Sequence, residues 1–515
     1  NGNLTGSSQF FSDELFYNDV ATQSLRFDDG SSPYLTKTFG SDGTGSGATC
    51  TVSCWVKRTT ISNADQWFFC AGASSPAWIL GFRTADTLAF GDDDGNPFVT
   101  VTDRVFRDTS AWYHIVLTVK TSESANANKY KIYVNGELQT TTFSGTAADT
   151  LLGANVVHNV GRYPTGSSYF DGYMAEVNFV DGLALDPTYF GETKNGVWIP
   201  KTPNVSEYGT NGFRLKFDQV GVGTASTSTI GADTSGKTNH LTSSGIAASD
   251  CAMPDSPENN FATLNPLYYL TASTHLSEGN LQLTHEATAH RANAGTMFSK
   301  TGKWYFEVRN KTDTAGSSVA LGVGLQDISK NLVYATGADN YIFYSNNNNA
   351  RTALNTTVVT WSTDGTHAPD AGDIIQVAYD ADSGKIFFGI DNTYYAADAG
   401  ADGNPATGDN PSATLSTTID YIPFVGTYNN EATANFGQDD TFAGAISSAG
   451  NTDDNGKGVF KYAPPSGFLA LCTSNLPELT IGPNSATQAD DYFNTVTYTG
   501  NGGTLAVDGF GHQPD

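Results

Sequence analysis

The chain has 515 residues, too many for one core, and at roughly 100–200 residues per domain two to three domains are expected. Acids outnumber Lys plus Arg by 53 to 26, for a formal charge of −27. That balance argues against nucleic acid as a partner and against anionic membrane surfaces, because phosphates are gripped by clustered cations. No stretch approaches the roughly 20 consecutive apolar residues of a membrane helix, so no membrane insertion is expected. Residue 1 is Asn and no charged-then-apolar leader follows it, so the sequence reads as a processed chain or a fragment.

The choice of acid is uneven: 12 of the 53 are Glu, which leaves 41 Asp. Glu favours helix interiors, whereas Asp favours turns and caps. With 54 Gly and 12% aromatic residues, this is the composition of a turn-rich β-protein. The five cysteines, Cys50, Cys54, Cys70, Cys251 and Cys472, are too scattered for a disulfide framework. Cys50 and Cys54 lie four apart in a strand-like run, about 13 Å along one face, and cannot bond each other. Buried thiols are expected.

In chain order, Thr49 to Lys57 alternates small or polar with apolar residues, and Ala111 to Val119 is a longer strand. Lys129 to Val134 then meets Asn135-Gly136, a strong hairpin signal because both turn positions need positive φ. Tyr169 to Phe179 closes the set. These runs (CWVKR, AWYHIVLTV, KIYVNGEL, then NVGRY and YFDGYMAEVNFVDGLAL) resemble a laminin-G/pentraxin-type domain of the concanavalin A-like superfamily, over about residues 20–200. The resemblance implies an antiparallel sandwich and leaves the ligand open.

Residues 201–262 read as a partly ordered connector able to add a strand to the first sandwich, with Gly212 to Asp218 its ordered part. Beyond it, Gly302 to Val308 and Ala320 to Leu325 are strands. Gly372 to Asp380 leads through the four-residue turn Ala381 to Gly384 into Lys385 to Ile390. With IPFVG and ATANFGQ these segments resemble a SPRY domain, another two-sheet sandwich. The expected organisation is a concanavalin A-like sandwich over 1–200, the connector, a SPRY-like sandwich over 263–477, and at 478–515 the opening of a further β-domain or a C-terminal extension. The fold class is all-β: two antiparallel β-sandwiches, a jelly roll and then the SPRY-like unit, in tandem.

The order of the modules, with the connector GVWIPK, YGTNGFRLKF, NFATLNP and the later YFNTVTYTGNGGT, resembles large virion proteins of marine tailed phages. The resemblance implies a tail-fibre or particle-surface protein, extracellular on the virion, whose partners are other virion proteins and a host surface glycan. It also implies a homo-oligomer, with a trimer favoured.

Candidate chemistry is sparse. Glucanases of the concanavalin A-like superfamily carry Glu-x-Asp-x-x-Glu along one strand, with carboxylates about 5–9 Å apart. No such run occurs here, and Glu176 and Glu307 stand without acidic strand neighbours. Carboxylates from different strands keep glycan hydrolase (depolymerase) as an alternative, but a non-enzyme is expected. His285 and His290 are spaced i, i+5, so on a helix their rings point about 140° apart, unlike a zinc protease pair. A Ser–His–Asp triad stays open, without a Gly-x-Ser-x-Gly elbow. The Asn-x-Ser/Thr sequons at Asn3, Asn204, Asn310 and Asn355 are expected by chance in so Asn-, Ser- and Thr-rich a chain.

Calcium is the one cofactor expected, since it takes six to eight oxygens. Asp92, Asp93 and Asp94 crowd one turn, Asp398, Asp402 and Asp409 a longer loop, and Asp453-Asp454-Asn455 a third. For glycan stacking, a pyranose C–H face packs on aromatic rings much as a base does. Trp67, Trp78, Tyr163, Tyr341 and Tyr344 lie near polar loops, and Asn346 adds an amide that both donates and accepts. Trp55, Trp112 and Trp304, inside strands, are expected in the core. The expected function is therefore a non-catalytic surface protein binding host glycans or neighbouring virion proteins. A purely structural capsid-decoration or tail scaffold is the alternative.

Overall fold

A computed structural model describes residues 16–476 apart from 93–98, 146, 269–275, 286–290, 313–316, 325–340, 347–348, 355–356, 363–367 and 399. Strands hold 42% of residues and helix 4%. The chain is all-β, as its composition predicts. The expected further domain at 478–515 lies outside the described residues. No helix among the described residues is long and apolar enough to cross a membrane.

The first sandwich pairs two antiparallel sheets. One has the strand order Leu25–Phe27, Gly172–Asp181, Thr49–Arg58, Trp112–Lys120, Tyr130–Val134, Glu137–Leu138. The other runs Thr141–Ser144, Val99–Val105, Thr87–Asp92, Trp78–Phe82, Gln66–Ala71, Val157–Val160, Tyr34–Thr38. Period-two alternation decides which side chains meet between them. Cys50, Val52, Cys54 and Val56 point inward, with Ile115, Leu117 and Val119 from the neighbouring strand. All five cysteines are buried thiols.

The connector supplies a strand to each sheet. Phe213–Leu215 pairs with Gly172–Asp181, and Thr242–Ser244 pairs with Tyr34–Thr38. Residues 183–262 also pack over the outward side of the first sheet. The polar residues alternating there, Thr51, Ser53 and Lys57, are therefore buried as well. Buried polar groups need partners, and the cover provides them. Lys57 Nζ donates to Asp255 Oδ2 at 2.7 Å and to Asn260 Oδ1 at 2.7 Å.

The Asn135-Gly136 turn has φ of +49° and +82°, as a two-residue hairpin of this twist requires. A Cβ at Gly136 would lie 2.6 Å from Cε3 of Trp198. Gly136→Ala is therefore expected to destabilise the protein by about 1–3 kcal/mol through backbone strain and steric overlap. Urea denaturation followed by Trp fluorescence measures it, and an unchanged midpoint would contradict this packing.

The second sandwich sets Gln282–His285, Asn430–Asn435, Lys303–Asn310, Ile374–Asp380 and Lys385–Ile390 in one sheet, in that order. It faces a sheet of Arg291–Ala294, Ile422–Tyr428, Ser318–Gly324, Tyr341–Asn346, Asn349–Leu354 and Thr357–Ser362. The hairpin at Ala381 to Gly384 forms as the sequence predicts, with Asp380 opposite Lys385. Trp304, Phe306, Val308, Leu321 and Val377 fill the core. The outward side of the first of these sheets is again covered, here by Phe460, Phe468 and Ala470 packed on Tyr305, Ala378 and Phe387.

The two sandwiches meet through buried polar contacts. Arg26, fully buried, reaches Asp250 at 2.8 Å, Asp439 at 3.0 Å and Glu278 at 3.1 Å. These acids come from the connector and from two loops of the second sandwich. Beside them the Tyr173 hydroxyl donates to Gly279 O at 3.0 Å, and Asn280 Nδ2 donates to Thr59 O at 3.0 Å.

Candidate functional site

The aromatic residues proposed for sugar stacking divide. Trp78 is 3% exposed and sits between the sheets, its ring 5.3 Å from Phe90 and 6.1 Å from Tyr130. Trp67 is 6% exposed and packs with Cys70 and Ala89. Neither leaves a ring face for a pyranose, which corrects the expectation for both. Tyr163 is half-buried against the Trp67 cluster. Tyr341, Tyr344 and Asn346 lie on the Tyr341–Asn346 strand, but their side chains fall outside the described residues. Trp55, Trp112 and Trp304 are buried, as expected.

The acidic loops are placed as follows. Asp92 ends its strand half-buried, and Asp93 and Asp94 lie outside the described residues. Asp398, Asp402 and Asp409 are exposed in one loop. Each accepts from that loop's own donors: Asp398 Oδ1 from Gly400 N at 3.1 Å, Asp402 Oδ2 from Asn410 Nδ2 at 3.0 Å, Asp409 Oδ2 from the Thr407 hydroxyl at 2.7 Å. That is the usual work of Asp in turns. Asp453 is buried and accepts from Asn455 N, Lys457 N, Ala470 N and Asn475 Nδ2, so it organises its own loop. Among the described residues, the acids whose ligand atoms converge to within 4.8 Å are Asp28, Asp29 and Asp171. Sequence spacing could not reveal them, because Asp171 is brought over by strand pairing.

One constellation superficially has catalytic form. Ser53 Oγ lies 2.9 Å from His114 Nε2, in a recess that Trp55, Glu176 and Pro200 help to line. Trp198 Nε1–H donates to His114 Nδ1 at 3.0 Å. An indole can only donate, so Nδ1 is the acceptor and the neutral ring carries its proton on Nε2. His114 therefore donates to Ser53 and has no lone pair to take the serine proton. Burial holds its pKa down at about 3, and the recess has no room for a water molecule. His285, of the His-x₄-His pair, ends a strand and not a helix, while 286–290 lie outside the described residues.

The two strand glutamates are also committed. Glu176 sits at a bulge with φ +47° and is clamped by Arg214, Nε at 2.9 Å and Nη2 at 3.0 Å. Glu307, in the second sandwich, is fully buried and receives four donors: Tyr462 N at 2.8 Å, Lys461 N at 2.9 Å, the Tyr305 hydroxyl at 2.9 Å and Asn435 Nδ2 at 3.3 Å. Burial raises its pKa to about 7 against those hydrogen bonds. This carboxylate fixes the 459–470 segment across the sheet, a role the sequence did not disclose.

Comparison with known proteins accords with this architecture. Residues 29–188 match the concanavalin A-like lectin/glucanases superfamily in its Laminin_G_3 form. Residues 303–439 match the SPRY domain. Similar solved structures include the native heptameric SAP-like pentraxin from Limulus polyphemus, at 15% identity and TM-score 0.23, covering 30% of this chain and 71% of that one. The SPRY domain of human HERC1 is similar at 14% identity and TM-score 0.24, covering 34% and 97%. The TRIM65 PSpry domain is similar at 13% identity and TM-score 0.26, covering 34% and 92%. No curated protein matches the chain. The chain thus carries a concanavalin A-like domain followed in tandem by a SPRY domain, both of types suited to binding.

Proposed function

We propose that this protein is a non-catalytic surface or tail-fibre component of a phage virion, holding host glycans or neighbouring virion proteins through the loops of its two sandwiches. The observation that carries the binding reading is the covering of one sheet in each sandwich by the chain's own segments, 183–262 in the first and 459–470 in the second. With those faces closed, the surface left for a partner is the loops at the sandwich ends and the outward sides of the other two sheets. The virion setting is supported by the likeness of the module order and connector to marine tailed-phage proteins. A trimer would turn weak loop contacts into avidity higher by about 10²–10⁴, and the charge of −27 would keep copies soluble and apart.

The burial of Trp67 and Trp78 favours a second reading, a purely structural decoration or scaffold subunit, since it removes two of the aromatic platforms a lectin would use. A glycan array probed with the full chain, alongside mass spectrometry of purified particles, separates the readings. Binding to host-type polysaccharide without reducing-sugar release is expected for the lectin. A blank array with the chain present in particles would leave the scaffold. Sugar release would overturn both.

A further inference from the structure

We propose that Lys57 and Asn260 react to form a side-chain amide (isopeptide) cross-link, with Asp255 carrying the protons, so that a covalent bond fastens the first sandwich to the start of the second. Lys57 is the penultimate residue of the Thr49–Arg58 strand, and its side chain, like that of Asp255, is 0% exposed. Its Nζ donates to Asp255 Oδ2 and to Asn260 Oδ1, each at 2.7 Å, and to Phe261 O at 3.2 Å. A C=O bond is about 1.23 Å long, so Nζ stands at most about 3.9 Å from the Asn260 Cγ it would attack. Reacting atoms in a near-attack arrangement are about 3–3.5 Å apart, so a small turn of either side chain suffices. Nucleophile, proton carrier and electrophile meet in one place, although Lys57 and Asn260 are 203 positions apart in sequence.

The surroundings hold all three groups in place. Asn260 Nδ2 donates to Ser110 O at 2.7 Å, which turns Oδ1 toward the lysine. The main chain of Asn260 is pinned from the end of the second sandwich: Asn260 N donates to Thr473 Oγ1 at 3.0 Å, and Thr473 N donates to Asn260 O at 2.9 Å. Trp112 Nε1 donates to Asp255 Oδ1 at 3.2 Å, leaving Oδ2 for the ammonium. The Tyr173 ring lies 5.7 Å from Nζ. In such a site the charged forms of Lys and Asp are both penalised. Burial raises the Asp255 pKa, which shifts the pair toward acid and free amine. A neutral amide in place of the ammonium removes a buried charge altogether.

The step balances without an oxidant, reductant or co-reactant. Asp255 takes one proton from the Lys57 ammonium, and the freed lone pair attacks Asn260 Cγ to form the new N–C bond. A second Nζ proton passes through Asp255 to Nδ2. The Cγ–Nδ2 bond then breaks with its electron pair on nitrogen, and ammonia departs, carrying off the proton left on Asp255 as ammonium. Asn260 is half-buried, so the leaving group has a way out. Because Phe261 bridges to Cys472, the bond lies where the chain enters the second sandwich, and a pull on either sandwich would load a covalent link. This inference is independent of what the loops bind.

The test is intact mass of the denatured full chain, with tandem mass spectrometry of a digest. The expected result is a mass lower than the sequence predicts by one ammonia, and a branched peptide joining Lys57 to Asn260. Cyclisation at an Asn-Gly step such as Asn195-Gly196 also loses ammonia, so the branched peptide is the deciding signal. Lys57→Arg and Asn260→Ala should each lack it. Asp255→Asn, which keeps both partners, should lack it too. Linear peptides alone from the folded parent would overturn the proposal. A loss of water with a branch from Lys57 to Asp255 would overturn the assignment to Asn260, and a branch formed in Asp255→Asn would overturn the role of Asp255. Should that variant fail to fold, the parent's digest still decides the bond by itself.

Discussion

Replacing Arg26 by Met is expected to destabilise the protein by about 3–5 kcal/mol, because among the described residues it removes the one cation paired with the buried acids Asp250 and Asp439. Arg26 is 0% exposed and touches Asp250, Glu278 and Asp439. Without it, Asp250 and Asp439 lose their charge partner at the seam. The measurement is urea unfolding of parent and variant, followed by a probe in each sandwich. In the parent the probes should move together; in Arg26→Met the curves should separate, since the seam that joins the sandwiches is what has been cut. The control is Lys120→Ala, which breaks an ion pair with Glu123 whose partners are 49% and 35% exposed and should leave the stability almost unchanged. Equal effects of the two variants would show that the seam is not where the stability resides.

Glu307→Gln is expected to cost about 1–3 kcal/mol at pH 5. A carboxyl oxygen facing Lys461 N and Asn435 Nδ2, or Tyr462 N and Tyr305, becomes an amide nitrogen facing donors. The pH dependence carries the sharper test. The Glu307 pKa is raised to about 7 by burial from an ordinary 4.5, so the folded state holds the proton more tightly than the unfolded state. Its contribution is fully present below about pH 4.5 and is lost as pH rises through about 7, an effect on the order of 3 kcal/mol. Parent stability should therefore fall relative to Glu307→Gln between pH 5 and pH 8, the gap closing or reversing. Parallel stability curves across that range would refute the assignment. Because Glu278 also has a pKa raised to about 7, by burial, only the difference between parent and variant isolates Glu307.

Much of the fold was legible in local sequence. The Asn135-Gly136 turn and the Ala381 to Gly384 hairpin depend on residues within a few positions of each other, and both formed as read. Trp304 in an alternating strand marked a core position for the same reason. What sequence did not disclose was what each sheet meets on its outward side. The strands Phe213–Leu215 and Thr242–Ser244 are three residues long and are strands only because distant edges accept them. Trp67 and Trp78 sit among polar turn residues that suggest a loop platform; their burial comes from chain remote in sequence. The Asp28, Asp29 and Asp171 cluster joins positions more than 140 residues apart, a relation that strand order creates and no spacing rule encodes.

The five cysteines have a practical corollary. All lie inside the protein, and burial raises the pKa of Cys50, Cys54, Cys251 and Cys472 far above that of a reactive thiol. Alkylating reagents and dissolved oxygen should pass the native molecule by. A single cysteine introduced at an exposed site, such as Asp402, would then be the one handle for a fluorophore or gold cluster, without prior removal of the native sulfur.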